Sequence, residues 1–390
     1  MSNQPFFDIP NVLSISGNRI VVRKYFEEFS RGKKKSLLQI SNEENLKCNS
    51  PKGVITRKVR MKMRGIITNW IEALKYSPKA ENGHKVYQAT FVTLTLPAKQ
   101  VHTDKEINAQ GLNTFITKIK RSHKVINYVW RAEKQDNGNI HYHIITDKYI
   151  SHDCIRSHWN ATIKKIGYID QYKKNQELRH KEGFQCNNEL LNKWPIEKQF
   201  EAYQKGKANN WENPNTTDIH SLRSVKDVAS YICKYITKSK EVDELRKLEM
   251  ASAAKQITEE VFIKCKEEIE KKIELKKINS RLWGCSDTLK ELKDVKIIVD
   301  YETSVFIEEV ISKDSTRVVQ TENFLIAYCN TLPQIIRNNK FINDQFQSHQ
   351  RANFFYIYPR LKPKLKEVIY KPPDLCITEI IEEARQAVLF

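Results

Sequence analysis

The chain has 390 residues, and its 66 lysines and arginines against 47 aspartates and glutamates give a formal net charge of +19. This length suffices for two or three domains, and a basic excess of this size favours a polyanionic partner such as nucleic acid. No apolar run approaches the roughly 20 residues that a membrane span requires. The first residues also lack the basic and apolar segments of an export signal. We therefore expect a cytoplasmic protein with no membrane partner.

Two common classes of site lack the spacing that they require. The eight cysteines contain no C-x-x-C pair, which is the spacing of zinc ribbons and redox motifs. Gly32-Lys33 lacks the glycine five residues before Gly32 that a phosphate-binding loop needs, and no other segment fits that loop. The sequence therefore predicts no nucleotide-driven motor.

The first half of the chain shows alternating helical and strand patterns. Residues 1–52 form a basic N-terminal extension, and the spacing of apolar residues predicts a helix over 56–76, a strand over 85–96 and a helix over 104–121. Basic residues crowd the start of the first helix, namely Arg57, Lys58, Arg60, Lys62 and Arg64. Such a stripe is either a solvated face or a phosphate-binding surface, and the sequence leaves both open.

The elements that follow include a hairpin. Strands over 125–133 and 140–146 flank Asp136-Asn-Gly-Asn139, which is a strong turn signal. A helix over 152–166, a short strand over 167–170 and a polar, irregular region to about 215 come next. A strand over 218–222, a helix over 224–238 and a long charged helix over 241–280 complete this part. A strand pair near 295–312 and further helices end the chain.

The hairpin carries a candidate metal site. His141 and His143 lie on one face of their strand because side chains alternate, while Tyr142 points to the opposite layer. If the hairpin loop has three residues, Glu133 faces His141 and completes a site for Mg²⁺ or Mn²⁺; a two-residue loop would move Glu133 to the other face. Asp147, in phase with the histidines, is the reserve ligand.

The helix over 224–238 carries two tyrosines. Tyr231 and Tyr235 are four residues apart and share a helix face, with Lys234 and Lys238 beside them. A tyrosine pair beside an apolar stripe is ordinarily the rim of a core. Neighbouring cations, however, favour the ionised phenol, whose ordinary pKa is about 10, and an ionised tyrosine is a covalent nucleophile.

Three of these segments, in this order, resemble the motifs of the HUH endonuclease superfamily. They are Thr93-Leu-Thr-Leu-Pro97, the H-x-H at 141–143 and the Y-x-x-K-Y at 231–235. The sequence is most similar to rolling-circle replication initiators, such as the gene A protein of small isometric single-stranded DNA phages and related plasmid Rep proteins. Trp130-Arg-Ala-Glu133 and Asp218-Ile-His220 also resemble that group.

The resemblance implies an α+β fold, with a central antiparallel sheet of about five strands flanked by helices and the histidines on a central strand. Residues 53–240 would form the nicking and joining domain, with an insertion at about 170–215, and residues 241–390 a mostly helical C-terminal domain.

The implied activity is cleavage and rejoining of DNA that leaves a 5′-phosphotyrosine and a free 3′-OH. Tyr231, Tyr235, Lys234 and Lys238 would be catalytic. DNA would be bound by Thr93, Thr95, Arg57, Lys58 and Arg60. The expected partners are single-stranded or hairpin origin DNA of a plasmid or phage, together with a host helicase and DNA polymerase of a bacterial cell.

Two other functions remain open at this point. A transposase or conjugative relaxase would use the same chemistry, although relaxases usually carry a third histidine in the cluster and often a tyrosine near the N-terminus, neither of which this sequence has. A non-catalytic protein that binds single-stranded DNA would bind without metal and form no covalent adduct.

Overall fold

The computed structural model describes residues 11–16, 19–24, 53, 55–81, 83–192, 194–220, 232–233, 240–254, 256–292, 294–320, 324–329 and 338–361. Its strands are β1 (Asn11–Ser16), β2 (Arg19–Lys24), β3 (Thr90–Leu94), β4 (Tyr128–Lys134), β5 (Ile140–Thr146), β6 (Thr217–His220), β7 (Trp283–Cys285), β8 (Val295–Val299), β9 (Ser315–Gln320) and β10 (Phe324–Cys329).

The α-helices are α1 (Arg57–Leu74), α2 (Asp104–Glu106), α3 (Asn113–His123), α4 (His152–Lys164), α5 (Tyr168–Arg179), α6 (Ile196–Ala208), α7 (Lys240–Ala253), α8 (Glu259–Leu275), α9 (Asp287–Lys290), α10 (Tyr301–Asp314) and α11 (Lys340–Ile357). A π-helical turn, Ile107–Leu112, joins α2 to α3, and short 3₁₀ helices span Asn188–Leu190 and Pro359–Leu361. No helix of the described residues combines the length and the apolar character needed to cross a membrane.

The chain divides into two compact units. The central unit comprises Ser41–Ile67 and Ser77–Lys290, and the terminal unit comprises Met1–Ile40, Thr68–Tyr76 and Glu291–Phe390. This division differs from the expected boundaries at residues 52 and 240. The chain up to residue 290 stays in the central unit because β7 pairs with β4 there, and β1 and β2 pair with strands of the terminal unit.

The central unit contains the expected antiparallel sheet of five strands, in the order β6-β3-β5-β4-β7. Its α+β architecture confirms the predicted fold class, and β5 is the central strand. One face of the sheet packs against the π-helical turn, α3 and α4 to form the core, in which Tyr142 is 1% exposed. The opposite face carries His141 and His143.

The hairpin between β4 and β5 has the three-residue loop. The Gln135 N–H donates to the Asn139 carbonyl over 2.8 Å, and Gly138 adopts φ +82°, a left-handed conformation that glycine tolerates without steric cost. Glu133 is consequently paired with His141 in the ladder. The register on which the carboxylate depended is therefore confirmed.

Two predicted elements of the central unit are wrong. Residues 167–170 begin helix α5 instead of forming a strand, because Gly167 at φ +82° ends the turn after α4 and Tyr168 and Ile169 are buried in the helical layer. The predicted long helix over 241–280 is broken into α7 and α8. The break comes where Thr258 caps α8, its hydroxyl accepting from the Val261 N–H.

The region expected as an irregular insertion folds into α5, a 3₁₀ turn and α6. Aromatic rings gather between these helices, with His180 stacked on Trp211 at 5.4 Å between ring centres and on Phe184 at 6.1 Å. Tyr203 contacts both His180 and Trp211. A Cβ at Gly206 would lie 1.9 Å from the Trp211 ring, so this glycine permits the close approach.

The terminal unit has a second antiparallel sheet, in the order β8-β1-β2-β10-β9. The N-terminal segment, expected as a basic extension, thus supplies two inner strands. The strand pair expected near 295–312 is β8 followed by helix α10, which begins where the Asp300 carboxylate accepts from the Thr303 N–H over 2.8 Å. The region after residue 240 therefore combines helices with strands β7 to β10.

A buried ion pair ties β4 to the start of α2. Asp104 is 6% exposed, and its carboxylate accepts from Lys134 Nζ at 2.7 Å, from Gln100 Nε2 at 2.8 Å and from the Asn279 N–H at 3.0 Å. Burial acts to raise the pKa of this carboxyl, but the three hydrogen bonds and the Lys134 charge together lower it.

We expect Asp104→Asn to lower the free energy of unfolding by roughly 3 kcal/mol at neutral pH, because it leaves the Lys134 ammonium, on a side chain only 12% exposed, without its carboxylate. A carboxyl with a lowered folded pKa stabilises above its unfolded pKa and loses that effect as pH falls through the folded pKa. The difference from the parent should therefore shrink in acid, as urea unfolding would show.

Asp136→Asn is the matched control, since the Asp136 side chain is fully exposed and solvent screens its pair with Lys276 at 3.4 Å. This change should leave the free energy of unfolding nearly unaltered. Equal losses in the two variants would contradict a structural role for the buried pair.

Candidate metal centre

The candidate centre lies on the face of the central sheet opposite the core. His141 and His143 are next-but-one neighbours on β5, and the ladder pairs them with Glu133 and Arg131 of β4. On the other side, β3 places Thr93 opposite His143. Three adjacent strands therefore position the site, and the rigid ladder determines the spacing of its side chains.

Both imidazoles point a ring nitrogen at the same carboxylate oxygen. His141 Nε2 lies 3.6 Å and His143 Nε2 lies 3.4 Å from Glu133 Oε2. The ligand atoms of the three residues all lie within 4.8 Å of one another. Two ligands that each sit roughly 2.1 Å from one ion are separated by roughly 3.0–3.5 Å, so this spacing suits a single divalent ion.

His143 is held in place from two sides. Thr93 Oγ1 lies 3.1 Å from His143 Nδ1, and the Phe91 ring stacks on the imidazole with centres 5.5 Å apart and planes 13° apart. A hydrogen bond from Nδ1–H to Thr93 would select the tautomer whose Nε2 lone pair is free for a ligand. Thr93 was predicted to bind DNA. Its hydroxyl lies at Nδ1 of His143, whereas Nε2 of the same ring faces Glu133.

The donor atoms of His141 fit a bound ion. Both of its ring nitrogens are buried and, within the described part of the chain, neither has a hydrogen-bond partner. Buried polar atoms normally have partners, so this pair of nitrogens needs an explanation. A divalent ion bound through Nε2, beside Glu133 and His143, supplies one. Imidazole and carboxylate donors suit Mn²⁺ and other first-row ions.

The protonation states favour metal binding. Burial acts to raise the pKa of the Glu133 carboxyl, but the neighbouring imidazoles of His141 and His143 and the Arg131 charge outweigh it and hold that pKa well below its ordinary value. Burial lowers the pKa of His143, which keeps the ring neutral at neutral pH. A metal requires an ionised carboxylate and a neutral imidazole, and both are available.

Asp147, the reserve ligand, is not part of the site. Its carboxylate is completely buried and accepts from the backbone N–H of Ile126 at 3.2 Å and of Asn127 at 2.8 Å. β5 ends at Thr146, so the alternation that put Asp147 in phase with the histidines does not continue to it. Its carboxylate therefore provides hydrogen-bond acceptors for the backbone N–H groups just before β4.

The tyrosine helix lies mostly outside the described residues, and Tyr231, Tyr235, Lys234 and Lys238 are among those outside. Ile232 and Cys233, between the tyrosines, are helical and buried, at 0% and 4% exposure. These two residues agree with a helix that has an apolar face, as the sequence predicts. The catalytic roles of the tyrosines and lysines stay predictions.

The remaining predicted DNA-binding residues lie in two places. Thr95 follows β3, and its hydroxyl donates to the Thr216 carbonyl over 3.0 Å. At the start of α1, Lys58 is exposed and Arg60 is half-buried. The Arg57 backbone is helical, but its side chain is not among those that the structure describes.

Comparison with protein families connects this geometry to DNA replication. Residues 89–240 match the model of the replication-associated protein ORF2 family. The matched range contains Glu133, His141 and His143 as well as both tyrosines, and it supports a rolling-circle Rep-type protein. No curated protein and no solved structure matches the chain.

Two residues of this site were not predicted from the sequence. Arg131 is 6% exposed and places a positive charge beside Glu133 and His143, and Phe91 supplies the ring under His143. Arg131 is two residues before Glu133, so its position on the same face of β4 could have been found from the alternation. Phe91 depends on the pairing of β3 with β5.

Proposed function

We propose that the chain is a rolling-circle replication initiator that nicks and rejoins single-stranded origin DNA through a 5′-phosphotyrosine. The observation that carries this proposal is the Glu133–His141–His143 cluster, within residues that match a replication-associated family. The cluster supports a divalent metal, and the basic charge of the chain supports a DNA substrate.

Glu133, His141 and His143 would hold Mg²⁺ or Mn²⁺. Such an ion, when bound, polarises a phosphoryl oxygen and orients the scissile bond. Thr93 holds the His143 ring in its orientation, and Arg131 adds a buried positive charge that favours a phosphate at this face.

The nucleophile would be Tyr231 or Tyr235. The phenol gives up its proton to solvent, and its oxygen attacks phosphorus. A bond forms between phosphorus and the tyrosine oxygen, the bond to the 3′ oxygen breaks, and that oxygen takes up a proton as the free 3′-OH. Lys234 and Lys238 would favour the ionised phenol. With two tyrosines, one can remain esterified while the other attacks a regenerated site.

The proposed partners follow from the steps of replication, strand separation and synthesis, for which the sequence provides no motif. Because no segment fits a phosphate-binding loop, strand separation would depend on a host helicase, and synthesis from the 3′-OH on a host DNA polymerase. The substrate would be a single-stranded or hairpin site of the replicon that encodes the chain.

The test is to incubate the protein with 5′- and 3′-labelled single-stranded DNA from its own replicon. One reaction contains Mn²⁺, and a parallel reaction contains a chelator instead. The expected result is a denaturant-resistant adduct that carries the 3′ label and forms only with the metal, together with release of the 5′-labelled fragment as a free 3′-OH end. Metal-independent binding without an adduct would show a non-catalytic binder. Cleavage confined to the ends of a mobile element would show a transposase.

The basic stripe on α1 makes a separate prediction. We expect the combined change of Arg57, Lys58 and Arg60 to glutamine to weaken DNA binding for all sequences alike. It should also reduce the log–log salt slope by roughly 2, because each phosphate contact on a single strand contributes roughly 0.7. Fluorescence anisotropy at several salt concentrations measures both quantities.

A control with the same charge loss is available on α8, where Lys264, Lys271 and Lys272 are exposed. Their combined change to glutamine should leave the slope nearly unchanged. If both triple variants lose the same slope, the effect reflects net charge and the stripe has no specific role.

A further inference from the structure

One face of the terminal unit's sheet packs against helices α10 and α11, and the opposite face carries a different set of side chains. Residues Ile307 and Ile311 of α10 and Ile342 of α11 pack on the core face with alternate residues of the strands. Because side chains alternate along a strand, the intervening residues point to the opposite face. The ladder register assigns to this second face Lys296, Ile298, Val12, Ser14, Arg19, Val21, Ile326, Tyr328, Arg317 and Val319.

This second face is basic and contains a tyrosine. The strand positions just given include three lysines or arginines and no aspartate or glutamate. The register places Tyr328 directly between two arginines, with Arg19 on β2 and Arg317 on β9. An arginine–tyrosine–arginine row therefore crosses three adjacent strands.

The exposure of these residues indicates which part of the face is accessible. Arg317 and Lys296 are exposed, and Val319 is 37% exposed. Tyr328 is half-buried, whereas Val21 on the middle strand β2 is buried, so the face is accessible toward its edges, and Tyr328 and Arg317 lie toward the β9 edge. Arg19 Nε is buried and has no hydrogen-bond partner among the described residues. A guanidinium N–H without an acceptor in the described part of the chain is suited to an anionic ligand that supplies one.

We propose that this face, centred on Arg19, Tyr328 and Arg317, is a second binding surface for single-stranded nucleic acid. Arginines that flank an aromatic ring on a sheet combine phosphate pairing with base stacking, which is the chemistry that recognises single strands. Duplex DNA keeps its bases stacked inside the helix and could use only the charges. The face lies outside residues 89–240, so it goes beyond the proposed cleavage site and would hold the strand independently of it.

The test uses the full chain and a labelled polydeoxythymidine probe of about 20 nucleotides, long enough to exceed the roughly 4–16 nucleotides that one such binding module covers. A chelator is present so that no cleavage occurs. Tyr328→Leu should weaken binding roughly 5- to 150-fold, the range for loss of one stacked base. Arg317→Gln should reduce the log–log salt slope by roughly 0.7, as expected for one phosphate contact. The exposed position of Arg317 makes this second variant safe for folding.

Lys313→Gln on α10 is the matched control, because it removes the same charge from a side chain that is 74% exposed on a helix of the same unit. It should bind the probe as the parent does. Photocrosslinking with iodouracil in the probe should label Tyr328.

Equal binding by Arg317→Gln, Tyr328→Leu and the parent would overturn the proposal, as would crosslinks confined to the central unit. If Arg317→Gln instead dissociates a dimer without changing DNA binding, the face is a contact between two copies and the proposal is overturned. Metal-dependent cleavage of a short origin oligonucleotide should persist in both variants, so the failure of this proposal is distinguishable from failure of the proposed nicking activity.

Discussion

We expect the proposed cleavage of single-stranded DNA to fall by roughly 10³-fold when His141 or His143 is replaced by alanine, because a metal that acts as Lewis acid would contribute several kcal/mol to the transition state. DNA binding should be nearly unchanged. Each imidazole nitrogen lies within 3.6 Å of Glu133 Oε2, so either change removes one ligand of the three. The phosphate contacts proposed for the basic surfaces do not involve these residues.

Metal binding gives a second readout that does not depend on activity. The electron paramagnetic resonance signal of free Mn²⁺ reports its binding directly, and both alanine variants should bind Mn²⁺ more weakly than the parent. Glu133→Gln should do the same, since the amide keeps the shape of the side chain but loses the charge.

His123→Ala is the matched control, because His123 lies at the end of α3, on the helical side of the sheet, where its Nε2 contacts His158 Nε2 at 3.0 Å. It should bind Mn²⁺ and cleave DNA as the parent does. If the His141 and His143 variants matched this control in both assays, the metal centre would be disproved.

The second prediction with a large expected effect concerns Tyr231 and Tyr235. We expect Tyr231→Phe/Tyr235→Phe to form no covalent adduct, because phenylalanine lacks the attacking oxygen. Each single variant should retain some cleavage of the first strand, since a spacing of four residues predicts that both phenols reach one phosphate. Transfer of a cleaved end to a second strand should fall in both single variants, because that step needs a free phenol while the other is esterified.

Peptide mapping of the adduct is the measurement for this pair, and Tyr149→Phe is the control, since Tyr149 is a tyrosine of the central unit that is 59% exposed. Label on one tyrosine alone, with full strand transfer when the other is phenylalanine, would reduce the mechanism to a single nucleophile. Unimpaired adduct formation by the double variant would remove the assignment of both.

The predicted geometry of the candidate metal centre was confirmed where it depended on short segments. The alternation of β5 was enough to put His141 and His143 on one face. The sequence left the loop at two or three residues, and the three-residue loop that the structure shows places Glu133 opposite His141. Both depend on interactions within about ten residues, which the local preferences of glycine and asparagine in turns largely decide. Asp147 was placed wrongly by the same alternation because β5 ends one residue earlier.

Only the tertiary structure decided the features that depend on distant pairings. Thr93 contacts His143 across 50 residues of sequence, and the strands β1 and β2 pair with β8 and β10, which lie far away along the chain. The helix at 168–179 likewise follows from burial of Tyr168 and Ile169 against the core and not from its own pattern. By itself the sequence determined the periodicity and the turns, because these reflect local backbone preferences. Strand partners and the packing of helices depend on which apolar surfaces meet in the folded chain, and no local pattern contains that information.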